Sequence, residues 1–325
     1  MFGCQQDLIK CNKEVRNIIE YLCTESAKLS NCGTYYARQL YFKTGRIPNR
    51  AQLHKVIGTE NQNKHYKAFY SDTAQQILTG VVEGFKSYLA LVEGVKKGTV
   101  TQKPKLPGYR KGGMSVVTYT RRSVKLKDGM LRFPLGQQVK AWFGLDSFCL
   151  PMPVNLDHAS IREYRIVPRN GCFYIEYVYQ NLTSEVEVDP TKALMIDHGI
   201  DNWLTCVSNS NTSFIIDGKH LKSLNQGYNK RVSFLMEGKA NGYWSKRLAR
   251  LTEKRNRQMR DATNKAARIV INHCVEQGIG TLIFGWNKLQ KNGANMGKKT
   301  NQKFVQIPTG RLKCESLTRN QSSMD

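Results

Sequence analysis

Acidic residues are scarce in this chain. Asp and Glu total 25 against 50 Lys and Arg, a formal net charge of +25 over 325 residues. A twofold excess of cations points to a polyanionic partner, with nucleic acid as the first candidate and a solvated basic surface as the plain alternative. Long apolar runs are also missing. No stretch reaches the ~18 uncharged apolar residues of a membrane span. The opening MFGCQQDLIKCNKEV has neither the apolar core nor the small-residue cleavage site of a secretory signal, so a cytoplasmic protein without a membrane partner is expected. The nine cysteines (Cys4, Cys11, Cys23, Cys32, Cys149, Cys172, Cys206, Cys274, Cys314) are odd in number and contain no Cys-x-x-Cys pair. That pattern argues against a zinc ribbon or a disulfide framework and leaves buried or incidental thiols in a reducing compartment. The six histidines form no ligand-like cluster beyond His198 beside Asp197. Zinc is not expected, and neither internal repeats nor low-complexity tracts occur.

Packed cores are nonetheless affordable. Apolar residues make up 40% and aromatics 10%, and the length suggests two or three domains. Residues 12 to 95 read as helical. In the segment beginning SDTAQQILTG, Ser71 or Asp72 is a candidate cap; Ile77, Val81, Phe85, Tyr88 and Val92 recur at steps of three and four, and Gly98 marks the end. Upstream, Tyr35, Tyr36, Tyr41 and Phe42 accompany Arg38 and Lys43, either as core aromatics or as a base-stacking surface. TQKPKLPGYRKGG is a basic Pro/Gly loop. Short β-rich runs follow: SVVTYT, VKL and LRF around the Asp128-Gly129 turn, VKAWFGL, and a hairpin centred on Asn170-Gly171. They predict a small antiparallel barrel or sandwich, and NLTSEVEVDPTK reads as a linker.

From residue 192 the pattern becomes mixed α/β. KALMID is an apolar strand ending in Asp197; WLTCVSN and SFIID are two further strands, with a hairpin turn at 209 to 211. A long helix runs from the Ser245 cap to Gly278, with Leu248, Leu251, Met259, Ala262, Ala266, Ile269 and His273 mostly on one face. TLIFGW returns as a buried strand. A carboxylate at the end of a buried strand, followed by Gly199 and two hairpin strands, is how an RNase H-like nuclease begins. Such a site holds Mg²⁺ through oxygen ligands between the sheet and the scissile phosphate. The alternative for Asp197 is a turn-forming cap. Between Lys239 and Arg268 ten basic residues face only Glu253 and Asp261. Glu253 and Arg257 have the spacing of a surface i,i+4 pair. The remaining excess reads as a phosphate-binding face, with Arg247, Arg250, Arg255 and Lys265 as the expected contacts, or as a solvated face.

An ordered series of segments now carries a resemblance: ALMIDHGIDNWLTCVSN, LKSLNQGYNKR, SKRLARLTEKRNRQMRD, NKAARIVINHC, IGTLIFGWNK and GKKTNQKFVQIPTGRL, and upstream CTESAKLSNCGTYYARQLYFKTGR and KPKLPGYRKGG. Together they resemble the TnpB family, the OrfB proteins of bacterial insertion sequences, which are RNA-guided DNA endonucleases related to type V CRISPR effectors. The resemblance implies a multidomain α+β protein. Its β-barrel wedge domain would start at residues 1–11 and continue over 99–185 around a helical recognition bundle at 12–98. An incomplete RNase H-like (RuvC) domain would occupy 186–325, with its long basic helix at 245–277. It implies a guide RNA from the transposon end and a target double-stranded DNA as partners, no small-molecule substrate, and Mg²⁺ as the metal.

By the same resemblance Asp197 is the first of three catalytic carboxylates and a metal ligand. The second is expected after TLIFGW, where this chain has Gly285; a subset of the family similarly has glycine there and draws a glutamate from further downstream. Asp201, Asp217 and Glu315 are nearby in sequence, but no pattern sets them beside Asp197. After GRLK the chain reads CESLTRNQSSMD, without the Cys-x-x-Cys ribbon and final Asp of the family, and Asp325 is not assigned that role. The expectation is a truncated chain from a decaying element. Part of its sheet would be uncovered, and it would cut DNA poorly or not at all. A nuclease-dead RNA-guided repressor is the second expectation, and an unrelated basic RNA-binding protein the third.

Overall fold

The computed structural model describes residues 2–60, 63–180, 187–199 and 201–285. They fall into two compact units, one formed by residues 2–180 and the other by residues beyond 180. Among them no helix is long and apolar enough to cross a membrane.

The first unit opens with β1 (Phe2–Leu8), then α1 (Lys13–Thr44), the short α2 (Arg50–His54) with a π-type turn after it, α3 (Lys64–Lys67) and α4 (Ser71–Lys96). Asn12 caps α1 by accepting from the Val15 amide at 2.9 Å, and Gly45 closes it in the left-handed region at φ 69°. At α4 the expected cap is replaced. Asp72 points inward, accepts from Thr120 Oγ1 and pairs with Arg122, while Tyr70 occupies the cap position without a side-chain bond. A buried carboxylate needs such partners more than a helix end needs a cap.

Strands β2 (Val117–Thr120), β3 (Lys125–Lys127) and β4 (Met130–Pro134), helix α5 (Gln137–Phe143), and strands β5 (Ser147–Pro151), β6 (Ile161–Arg169) and β7 (Cys172–Gln180) complete the unit. Their pairing gives one sheet in the order β1-β7-β6-β2 and another in the order β3-β4-β5. The two share an aromatic core. Phe133 of β4 stacks on Phe148 of β5 at 4.9 Å and meets Tyr119 of β2 and Tyr164 of β6 edge-on. The hydrogen-bonded strands form two open sheets rather than the closed ring of a barrel among the described residues. VKAWF is helical where a strand was expected, because Gly136 and Gly144 bracket a seven-residue helix whose Val139 enters the core. The predicted Asn170-Gly171 turn is there, both residues at positive φ, and β1 pairs with β7 along its full length. Of the four early aromatics, Tyr36 packs on the core and Tyr41 meets Tyr88 edge-on, whereas Tyr35 and Phe42 are exposed.

The second unit contains β8 (Asp189–Asp197), β9 (Asn202–Ser208), β10 (Ser213–Asp217), α6 (Lys219–Met236), α7 (Lys246–Gln277) and β11 (Ile279–Phe284). Strand β8 starts inside the expected linker; Pro190 is tolerated because it sits at the strand's beginning. The sheet order is β10-β9-β8-β11, antiparallel except for the β8/β11 pair. Leu194, Ile196, Leu204 and Cys206 share a core with Met259, Ala266, Ala267, Val270 and Cys274 of α7. Burial pushes the Cys206 thiol up to about 12 and the Cys274 thiol up to about 11, which leaves both unreactive at neutral pH. Two expectations change here. Ile269 is exposed and Val270 takes its place in the core, since a strict count drifts over a helix of 32 residues. Strand β11 is only half-buried, being at the edge of the sheet as described.

Candidate functional site

Asp197 is the last residue of β8, in register with Thr205 of β9, and is exposed. Alternation along the strand puts it on the same side as Met195, opposite the face that Leu194 and Ile196 bury. The chain turns directly after it. The Gly199 amide donates to the Trp203 carbonyl at 3.2 Å, and a Cβ at position 199 would overlap the carbonyl oxygen of Asn202. Only glycine fits that approach, so the Asp-x-Gly spacing has a steric cause as well as a chemical one.

The parallel neighbour β11 brings Gly285 to this strand end. Its amide donates to the Ile196 carbonyl at 2.9 Å, and a Cβ there would lie 3.4 Å from Asp197 Oδ1. A carboxylate at this position would therefore stand beside Asp197, and the chain has none there. Two neighbouring acids in the sequence have local partners. Asp201 pairs with Lys222, and Asp217 Oδ1 accepts from the Lys219 amide at 2.5 Å with the Lys219 ammonium 3.8 Å from Oδ2. Among the described residues no group of three or more His, Cys, Asp or Glu side chains could hold a metal ion. These residues do not fit an Mg²⁺ centre, which takes near-octahedral oxygen coordination. Glu315 and Asp325 lie outside the described residues.

The cationic surface is built on the helix pair α6 and α7. Ser245 caps α7, its Oγ accepting from the Leu248 amide at 3.2 Å, and Gly278 ends it at φ 63°. The four cations expected to meet phosphate are in different situations. Arg247 and Arg250 are exposed. Lys265 is exposed too, with Asp261 at 2.8 Å. Arg255 is turned into the helix pair: it donates to Asn225 Oδ1 at 2.9 and 2.7 Å and lies 5.7 Å over the Tyr228 ring. Burial pulls its guanidinium below the ordinary value, with Tyr228 acting in the opposite sense. Glu253, assigned to a surface pair by its spacing, is 0% exposed and has Arg260 at 3.9 Å. A carboxylate that deep is retained only with cationic company.

Helix α6 had no assigned role in the sequence, although a signal was present. Leu221, Leu224, Tyr228, Val232 and Leu235 recur at steps of three and four. The Tyr228 hydroxyl shares a 3.1 Å hydrogen bond with Thr252 Oγ1, which fixes α6 against α7.

Residues 176–290 match the OrfB_IS605 family, described as a probable transposase. This segment takes in most of β7, Asp197, both long helices and Gly285. Among solved structures, the chain is similar to one in a Cas12f1–sgRNA–target DNA complex, with a TM-score of 0.57 and 14% identity over 96% of this chain and 72% of that one. A CRISPR–Cas12f ternary complex gives a TM-score of 0.39 and 13% identity, covering 96% and 70%. No match is found among curated proteins. The first structural similarity shows a shared mixed α+β fold. The OrfB match lies across the strand-end aspartate and the basic helix pair, so it is this part of the chain that is similar to the OrfB family.

Proposed function

We propose that this chain is a transposon-encoded, RNA-guided DNA-binding protein whose nuclease centre is weakened. The observation that carries the reading is the OrfB-matched segment itself. It contains an Asp at the end of a central strand and a helix pair with a large surplus of cations. Guide RNA and target DNA as partners are supported by the net charge of +25 and by the shared fold with a protein solved with both. A wedge domain built from β1 to β7, a recognition bundle over α1 to α4 and a RuvC-type domain from β8 onward are the matching assignments.

Weak cleavage is supported by Gly285. Nuclease carboxylates act by holding metal ions that supply the nucleophile and stabilise the leaving oxygen. A single Asp at the strand end contributes too few oxygens. The same observation favours a second reading, in which the protein binds guided targets as a repressor without cutting.

The test is to express the full chain with its flanking transposon-end RNA and to sequence what co-purifies. One discrete RNA, with target binding that Asp197→Ala leaves unchanged, is the expected result. Mixed RNA released by salt would overturn guided binding. Mg²⁺-dependent cleavage abolished by Asp197→Ala would overturn the weakened centre.

A further inference from the structure

The tip of the α6/α7 hairpin combines two features that rarely coincide on a surface without a partner. Three large aromatic rings are exposed there: Phe234 at 71%, Trp244 at 57% and Tyr243 at 41%. Around them lies a dense set of cations. Lys230, Arg231, Phe234 and Leu235 of α6 and Arg247 and Leu251 of α7 line a cleft of about 510 Å³. Lys239 sits 5.8 Å over the Tyr243 ring. None of Lys230, Arg231, Lys246, Arg247, Arg250 or Lys254 is in an ion pair among the described residues. The apolar rings offer faces for stacking, and the unpaired cations call for a polyanion. Duplex bases are already stacked on each other, so the occupant that satisfies both is a nucleic acid with unpaired bases.

We infer that this hairpin tip is a stacking site for single-stranded nucleic acid. Bases lie on Phe234 and Trp244, and the flanking phosphates meet Arg231, Arg247 and Arg250. The inference deepens the nucleic-acid reading above by assigning unpaired nucleotides to particular residues. It does not depend on guiding by RNA.

The test uses the full chain, stripped of RNA at high salt, and two fluorescent 12-mers of equal charge: oligo-dT and the same backbone without bases. Wild type is expected to bind the base-bearing strand about tenfold or more tighter than the abasic one. Phe234→Ala with Trp244→Ala should remove that preference while the salt dependence stays. Both rings are exposed, so the melting temperature should hold. If the double variant melts early, Trp244→Ala alone is compared with Trp244→Phe, which should retain most of the preference. A preference that survives the ring removals, or an equal weakening on both strands, overturns the inference and leaves the rings to a protein partner. A chain that co-purifies with one discrete RNA yet shows no ring-dependent preference refutes this inference alone. A ring-dependent preference in a chain without a discrete RNA refutes only the guided reading.

Discussion

The two units display charge and apolar surface to different degrees, although both bury an acid beside a cation. In residues 2–180 buried acids are neutralised by neighbours: Glu25 by Lys28 and His65, and Asp72 by Arg122. Their aromatic rings interlock inside the unit. Beyond residue 180, Lys230, Arg231, Lys246, Arg247, Arg250 and Lys254 of α6 and α7 are in no ion pair among the described residues. One sheet face, carrying Met195, Val207, Ile215, Ile283 and Asp197, is exposed, while the other is packed on α7. Buried polar groups in the first unit must be satisfied or the fold loses several kcal/mol. In the second, the open groups contribute little to stability and remain available for ligands.

Paired substitutions would break this comparison most directly. Phe133→Ala, which removes a ring from the shared core of both sheets, should destabilise the first unit by about 3–5 kcal/mol. Ile215→Ser, on the exposed face of the second unit's sheet, should change stability by no more than about 0.5 kcal/mol. Denaturant titration of both variants decides the matter; comparable losses would mean that the sheet face is buried against something.

Acid sharpens the same contrast. Burial alone would raise the Glu25 carboxyl, but hydrogen bonds from Lys28 at 2.8 Å and His65 at 2.5 Å, with their charges, outweigh it and hold Glu25 below the ordinary carboxylate value. A depressed carboxyl contributes stability that is fully present above its unfolded value and is lost as pH falls through the lower folded value. The first unit should therefore lose stability below about pH 4.5. Glu25→Gln should remove part of that acid sensitivity and cost about 1–3 kcal/mol at neutral pH, read as melting temperature against pH. An unchanged acid profile would mean that Glu25 does not hold the helices α1 and α3 together.

Local signals carried the sequence reading a long way. The Ser245 cap, the Gly278 stop, the Asn170-Gly171 turn and the strand ending at Asp197 each depend on a few adjacent residues and were legible as such. Short elements were less so. Five apolar-spaced residues in VKAWF fit a strand or a helix turn equally, and the flanking glycines decide between them. Across elements the sequence was silent. That Gly285 lies against Asp197 follows from parallel pairing of strands far apart in the chain, and only the family resemblance drew attention to it. Nor does α7 by itself distinguish Arg255 from Arg250, because the partner that captures Arg255 is Asn225 on α6.

That last distinction gives the finest test of a division between structural and binding cations. Arg255 occupies an internal network, so Arg255→Ala should lower the melting temperature and cost about 1–2 kcal/mol, because Asn225 is left buried without its donor. Arg250 is exposed on the same helix. Arg250→Ala should leave the melting temperature alone and weaken binding to any nucleic acid sequence, flattening the slope of log affinity against log salt by about 0.7–0.9. Measuring both quantities on both variants separates the roles, since a fold effect and a phosphate contact move different readouts. If Arg255→Ala instead flattened the salt slope without affecting melting, its hydrogen bonds to Asn225 would be dispensable. The cationic face would then extend into the helix pair rather than ending at its solvent edge.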